Sequence, residues 1–223
     1  NDNGSVALKQ FSDNAEKSLG GVSTAANKSD SAFTGMVGKL KNLVGLAAAA
    51  FGVHEVISFA KEATMLAARV ETLGVVLGVV GENAGYSKGE MARYVEEVKK
   101  MGITTEVAHD AVIKIAQSQI KVADSAKLAR VAQDAAVIGN INSSDAFQRM
   151  INGIRSGEVE ILKTIGLNVQ FEQGYQRMAA ELGKSTGALT EQEKAQARAN
   201  LVMEAGSRIS GAYEASMGTA GKM

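Results

Sequence analysis

The side chains that could carry acid–base or metal chemistry are few in this sequence and far apart. His54 and His109 are the only histidines among 223 residues, and there is no cysteine. They fall in different predicted helices, so a metal site or an acid–base pair would depend on the fold bringing them together. His109 precedes Asp110, but adjacent residues on a helix point in different directions. We therefore predict a solvated polar face there, rather than a base with its orienting carboxylate.

Closely spaced glutamates are the other candidates for acid–base work. Glu158 with Glu160, and Glu191 with Glu193, each fall in the first turn of a predicted helix, where negative charge offsets the helix dipole. The sequence contains no phosphate-binding loop, dinucleotide fingerprint, nucleophile elbow or zinc-binding HExxH motif. We predict that the protein is not an enzyme and that it has no catalytic, cofactor-binding or metal-binding residues.

Composition predicts which elements position these residues. The chain has no proline and only 4% aromatic residues, which favours helix over sheet. Its 24 basic and 24 acidic residues cancel, and no basic run is longer than Lys99–Lys100, so we predict no specific nucleic-acid partner. The first residues lack the charged and apolar blocks of a secretory signal, which predicts assembly in a cytoplasm.

The predicted fold class is all-α, an extended or oligomeric assembly of amphipathic helices and helical hairpins. Three segments are predicted along the chain. Residues 1–31 form an N-terminal helix or linker, residues 32–85 an apolar helical segment rich in small residues, and residues 86–223 a helical-hairpin region. In the second segment, one helix is predicted from about Ser31 to about Leu77, through the run Ala47–Ala50.

Capping signals divide the hairpin region into helices. Ser87 with Glu90, and Thr190 with Glu193, have the spacing of capping boxes. The sequence LNVQF, residues 167–171, alternates like a strand but has nothing to pair with, so we predict an extended connector. The predicted helices are Met91–Met101 ending at Gly102, Thr104 or Thr105 to about Lys121, Asp124 or Ser125 to about Ile138, one opened by Ser143 or Ser144, a short one stopping at Gly166, Glu172–Leu182, and Thr190 to about Met217.

Two helix faces are candidate interaction sites. The last predicted helix carries an apolar residue at every fourth position, and we predict that this stripe packs against another helix that crosses it at an angle. Gly74 and Gly78 form a small-xxx-small pair, which suits close helix packing or a helix pair in a membrane. The apolar run around them, Leu73–Gly81, is shorter than the roughly 20 residues of a spanning helix. The residues of the stripe are Ala197, Leu201, Ala205, Ile209 and Tyr213.

Two motifs in residues 147–223 carry a family resemblance. The first is an xxLKxxGLxV element, and the second is an LTxxEKxQA box followed by a glycine-punctuated helix. Together with the upstream stretch Phe59–Gly74, they make residues 33–223 resemble the helical region of the tail tape measure proteins of long-tailed bacteriophages. The residues of the first motif are Ile161, Leu162, Lys163, Gly166, Leu167 and Val169, and those of the second are Leu189, Thr190, Glu193, Lys194, Gln196 and Ala197.

The resemblance implies a structural protein of the virion. Such a protein lies in the lumen of the tail tube, sets tail length during assembly in the host cytoplasm, and is released at genome ejection. It implies the tail tube protein, tail tip or baseplate proteins and tail assembly chaperones as partners, self-association with a trimer as one state, and contact with a host membrane after ejection. It transfers no active-site residue. Whether this segment is the ruler itself or a terminal anchor is left open.

Three alternatives remain at this stage. A membrane-active helical protein that inserts in the host envelope, or forms a channel through it, would use the apolar stretches Leu43–Phe59 and Leu73–Gly81. A helical hydrolase carried in the tail would need a convergent acid, base or nucleophile, which the sequence does not offer. A helical secretion or adhesion scaffold unrelated to phages fits the composition equally well.

Overall fold

The computed structural model describes residues 53–218, with side chains from Glu62 onward. The chain divides into two compact units, Asn1–Arg69 and Val70–Met223. Of the part described, 79% is helical and none is strand, so the all-α prediction is confirmed. The predicted N-terminal helix or linker of residues 1–31, the helix start near Ser31 and the alanine run lie outside the described residues.

Nine α-helices and three short 3-10 turns make up the described chain. Helix α1 extends six residues beyond the predicted end at Leu77, because none of the glycines that follow it breaks the helical backbone before Asn83. The helices are α1 Val53–Asn83, α2 Lys88–Lys99, α3 Thr105–Gln117, α4 Ser125–Gly139, α5 Ser143–Ser156, α6 Val159–Lys163, α7 Phe171–Leu182, α8 Glu191–Gly206 and α9 Ala212–Met217; the 3-10 turns are Val122–Asp124, Thr186–Ala188 and Ser207–Ile209.

Both predicted capping boxes are confirmed. At the start of α2, the Glu90 amide donates to Ser87 Oγ over 3.2 Å, and the Ser87 amide donates to the Glu90 carboxylate over 2.9 Å. At the start of α8, Thr190 and Glu193 make the same reciprocal pair, at 3.2 and 2.8 Å. Two of the orphan amides at each helix start are therefore satisfied locally, and this fixes where the helices begin.

Two further predicted helix ends are wrong, and one helix that begins at Ser143, as predicted, has a different cap. Helix α3 ends at Gln117 and not near Lys121, because Gln119 has a φ of +55°. Helix α5 is capped by Asn142, whose Oδ1 accepts from the Asp145 amide over 2.8 Å, and not by either serine. Ser144 instead accepts a hydrogen bond from the Thr104 amide at the start of α3. The last predicted helix is interrupted after Gly206, because Ser210 is extended and Gly211 has a φ of +89°, so α8 and α9 are separate helices.

The connector Leu167–Gln170 is extended, as predicted, and helix α7 begins at Phe171. The alternation of apolar and polar residues in this connector corresponds to an alternation of buried and exposed side chains. Leu167, Val169 and Phe171 are buried, whereas Asn168 and Gln170 are exposed. A period of two can thus arise without a sheet, when an extended segment lies across the surface of helices and buries every second side chain.

The core of the second unit lies around α4. Helix α4 packs against α5 in a hairpin and also contacts α2, α8 and α9, while α7 and α8 form a second hairpin. Large buried side chains include Phe147, Met150 and Ile154 of α5 and Leu128 of α4. Alanine is the most frequent buried apolar residue, which lets neighbouring helix backbones approach closely.

Candidate interaction surfaces

The predicted stripe of the last helix is divided between two helices. Ala197, Leu201 and Ala205 are buried on α8, whereas Ile209 in the following 3-10 turn and Tyr213 on α9 are half-buried. The break at Gly211 ends the every-fourth-residue register, so the five residues do not form one continuous face.

Helices α7 and α4 of the same chain pack against α8. A Cβ at Gly174 of α7 would lie 3.2 Å from the carbonyl oxygen of Ala197 and 3.7 Å from Leu201 Cβ, so the two helices meet nearly backbone to backbone. At the other end, Gly206 lies directly against Val131 of α4. Three residues of the stripe, Ala197, Leu201 and Ala205, are therefore buried within the helices of the same chain.

Gly74 and Gly78 have different surroundings in the structure. Gly78 is buried, and a Cβ there would lie 3.1 Å from Lys88 Cε of α2. Gly74 is exposed and has no heavy atom within 4 Å of its Cβ position. Within the described residues no helix packs across both glycines, so the pair does not form the seam of a helix pair there.

Helix α1 presents an apolar surface. Its stretch Glu62–Asn83 is 22 residues long with a mean hydropathy of 1.6, and only 11% of the apolar window is buried. Val75 is 66% exposed and Val79 53%. By length and composition this is one helix of the described chain that could cross a membrane. The prediction that the apolar stretch here is too short to span a membrane is therefore wrong. That prediction counted the run Leu73–Gly81 alone, whereas the helix continues on both sides of it.

A buried arginine joins three helices, and the sequence analysis did not identify it. Arg198 on α8 is 6% exposed. Its Nε and Nη2 donate to the carbonyl oxygens of Ile154 and Arg155 in the last turn of α5, and its Nη1 donates to Tyr175 Oη on α7 over 2.9 Å. Since the last carbonyls of a helix lack intrahelical donors, Arg198 supplies them and ties α5, α7 and α8 together. A lone arginine in an alanine-rich helix gives no sequence signal of this role.

A surface cavity of about 450 Å³ lies beside Arg198 and holds several charged groups. Glu191 accepts a hydrogen bond from Lys194 over 2.9 Å, and this contact lowers the pKa of the Glu191 carboxyl. Glu172 and Tyr175 line the same cavity. Glu191 and Lys194 pair within α8, whereas Arg198 joins α8 to the last turn of α5.

The candidate acid–base residues also have separate structural partners. His109 Nδ1 lies 2.8 Å from the Thr105 carbonyl oxygen, one turn earlier in α3. Asp110 pairs with Lys114 at 2.7 Å, away from the histidine. The side chain of His54 is outside the described part. Among the described residues, no three or more His, Asp or Glu side chains are grouped so that they could hold a metal ion.

The first motif of the resemblance consists largely of core residues. Leu162, Leu167 and Val169 are buried. A Cβ at Gly153 of α5 would lie 2.9 Å from Leu162 Cδ2, so α5 has room for Leu162 only because position 153 is glycine. Gly166 has a φ of +77°, a conformation that glycine adopts without strain. The motif therefore specifies how the chain turns from α6 into the extended connector.

The second motif builds the start of α8. Leu189 and Ala197 are buried, and Thr190 with Glu193 form the capping box. Gln196 Oε1 accepts from the Lys121 amide over 2.7 Å, which joins α8 to the turn before α4. Each of these residues thus has a packing or capping role.

Comparison of the chain with protein-family models, with curated proteins and with solved structures finds no match.

Proposed function

We propose that the protein is a non-enzymatic structural component of a bacteriophage tail, a segment of a tape measure protein. One observation carries this proposal: the residues behind the resemblance are the ones that build the helical unit. Leu162 is fully buried, Gly166 makes the turn, and Thr190 begins α8. A signature made of packing and capping residues is what a structural protein requires, whereas an enzyme signature would include reacting groups.

The compact unit favours an anchoring role over a ruling role for residues 70–218. A ruler must be extended, since a helix rises about 1.5 Å per residue. Hairpins such as α4 with α5 and α7 with α8 return on themselves and add little length. In the proposed tail, this unit would be held in the tube lumen by the tube, tip or chaperone proteins, and a rod elsewhere in the polypeptide would set the length.

The experiment is genetic and uses the phage whose genome encodes this chain. Leu162→Asp places a charge in the core, and we expect few or no tails by electron microscopy. Asn168→Asp, which adds the same charge at an exposed position outside the motif residues, is the matched control, for which we expect normal tails. In-frame deletions outside residues 70–218 should shorten the tail by about 1.5 Å per residue removed. Normal tails from Leu162→Asp, or a tail length indifferent to every deletion, would refute the proposal.

A second candidate function rests on α1. The exposed apolar stretch Glu62–Asn83 is compatible with a protein that inserts into a host membrane. Flotation of the chain with vesicles of phosphatidylcholine and phosphatidylglycerol tests this. The variant Val75→Lys/Val79→Lys should stay unbound, since each lysine costs about 2.5–3.5 kcal/mol in the hydrocarbon layer.

The control for this experiment changes the same number of exposed apolar residues elsewhere. Leu182→Lys/Met217→Lys alters side chains that are 45% and 48% exposed on α7 and α9. This variant should float like the unmodified chain. If the unmodified chain fails to float, the membrane function is refuted and the tail proposal is unaffected.

A further inference from the structure

Helix α9 is attached to the second unit by polar contacts rather than by apolar burial. None of its residues is buried; Ala212, Tyr213 and Ser216 are half-buried, and the other residues are exposed. It is also the shortest helix but one in the described chain. An element with little buried apolar surface is expected to open at a lower free energy than the core.

A buried carboxylate on α4 holds the start of α9. Asp134 is 2% exposed, and its Oδ1 accepts a hydrogen bond from the Tyr213 amide over 2.9 Å. The N-cap position of α9 is Gly211, which has no side chain to cap the helix. Asp134 therefore provides, from another helix, the acceptor that an N-cap side chain normally supplies.

An arginine connects this carboxylate to the surface of α9. Arg130 Nε lies 3.9 Å from Asp134 Oδ2, and the same guanidinium pairs with Glu214 on α9. Arg130 and Glu214 are 42% and 53% exposed, so their ion pair contributes little by itself. Of these two contacts, the hydrogen bond to the buried Asp134 carboxylate is the one that is shielded from solvent.

We infer that α9 detaches from α4 and reattaches as a unit while the helical bundle stays folded. The hydrogen bond to the Asp134 carboxylate holds α9 in the attached state. The hinge is Gly211, where φ is +89° and a Cβ would meet no heavy atom within 4 Å. The residues before Gly211 stay attached, because Gly206 is packed against Val131 and Ile209 is packed against the core. The inference does not depend on the proposed tail function.

Native-state hydrogen exchange on the complete chain tests the inference without any substitution. The reporters are the Tyr213 amide, bound to Asp134, and the Ala215 amide, bound to the Gly211 carbonyl. At low urea we expect them to exchange at least tenfold faster than the amides of α5, with a weaker urea dependence. Exchange of both helices at one rate with one urea dependence would show that α9 opens only on global unfolding, and would overturn the inference.

Two variants test the role of the Asp134 contact. Asp134→Ala removes the acceptor, which Asp134→Asn would keep, and it should speed exchange of the α9 amides about tenfold while the amides of α5 change little. Glu214→Gln should speed them about twofold. Glu204→Gln, which breaks the ion pair between α8 and Arg177 of α7, is the control and should leave α9 unchanged.

Equal effects of Asp134→Ala on the exchange of α9 and α5 would overturn the role of the Asp134 contact. If Asp134→Ala unfolds the chain, Glu214→Gln and the urea dependence of the unmodified chain still decide whether α9 opens alone.

Discussion

Replacing Gly206 with alanine should destabilise the protein, although alanine is the better helix former. Gly206 has helical dihedral angles, φ −59° and ψ −28°, so an alanine there meets no backbone strain. Its Cβ, however, would lie 2.6 Å from Val131 Cγ1 and 3.0 Å from Val131 Cβ. A β-branched side chain in a helix has one preferred rotamer, so Val131 cannot rotate away without cost.

The expected loss follows from two opposing terms. Inserting a methyl group into a packed helix contact costs about 1–3 kcal/mol. Alanine in place of glycine recovers up to about 1 kcal/mol in a helix interior, and less at a last helical residue such as Gly206. We therefore expect Gly206→Ala to lower the free energy of unfolding by about 1–2 kcal/mol.

Gly89 provides the matched control for the same chemical change. It lies in the first turn of α2, is exposed, and has no heavy atom within 4 Å of its Cβ position. Gly89→Ala should be neutral or stabilise by about 0.5 kcal/mol. The two variants should thus differ by about 2 kcal/mol, which corresponds to about 4–8 °C in Tm for a domain of this size.

Urea and thermal unfolding, followed by circular dichroism, measure both variants. A double-mutant cycle with Val131→Ala isolates the contact, because that substitution removes the two methyl groups that the new Cβ would meet. The loss from Gly206→Ala should be at least halved in the Val131→Ala background. Equal stability of the two glycine variants, or additive effects in the cycle, would refute the packing argument.

Four further predictions concern the core, the buried arginine, a helix cap and the pH dependence of stability. Leu162→Ala should cost about 2–5 kcal/mol in urea unfolding, because it empties a fully buried position. Arg198→Lys should cost roughly 2–4 kcal/mol, since lysine lacks the planar fork that reaches two carbonyls and Tyr175. Thr190→Ala should cost about 1 kcal/mol. The hydrogen bond from Lys184 and the capping contact lower the pKa of the Glu193 carboxyl in the folded protein. The ionised carboxylate therefore stabilises the fold above the ordinary carboxyl pKa, and this stabilisation is lost as pH falls through the folded-state pKa. Glu193→Gln should remove that part of the acid dependence of stability.

The Leu162 and Arg198 variants each have a control substitution. Lys163→Ala changes the exposed neighbour of Leu162, and Arg177→Lys makes the same substitution as Arg198→Lys at an exposed arginine. Both controls should shift the free energy of unfolding by less than about 0.5 kcal/mol. A Leu162 or Arg198 variant as stable as its control would contradict the burial argument. An unchanged slope of stability against pH below about 4.5 in Glu193→Gln would contradict the assignment of the shifted pKa.

Local signals in the sequence predict much of the fold. Ser87 and Thr190 begin helices because a capping box needs only residues three positions apart. Gly102 and Gly183 follow helix ends with positive φ, which is again a property of a few neighbouring residues. Such features involve no long-range contact, so a pattern along the chain is enough to find them.

The errors occur where a distant residue decides the outcome. Ser144 has the right type to cap α5, but its hydroxyl binds the Thr104 amide, 40 residues away. The helix start at α9 depends on Asp134, 79 residues before Tyr213. The period-four stripe continued through Gly211 in the sequence because Tyr213 happens to keep the spacing. The role of Arg198 has no sequence signal, because α5 brings its two carbonyl partners to the arginine only when α5 and α8 pack.

The alanine-rich interior around α4 lowers the conformational entropy that folding must remove. An alanine side chain has no rotamers to lose, whereas a buried leucine or isoleucine loses about 0.5–1 kcal/mol of rotational freedom. Contacts such as those of Ala132, Ala135 and Ala199 therefore bring backbones together at little entropic cost. Each alanine also buries less apolar surface than a leucine or isoleucine would, so both the entropic cost and the hydrophobic gain per residue are small. Each of these alanine contacts therefore adds little to the side-chain order that the unit gains on folding.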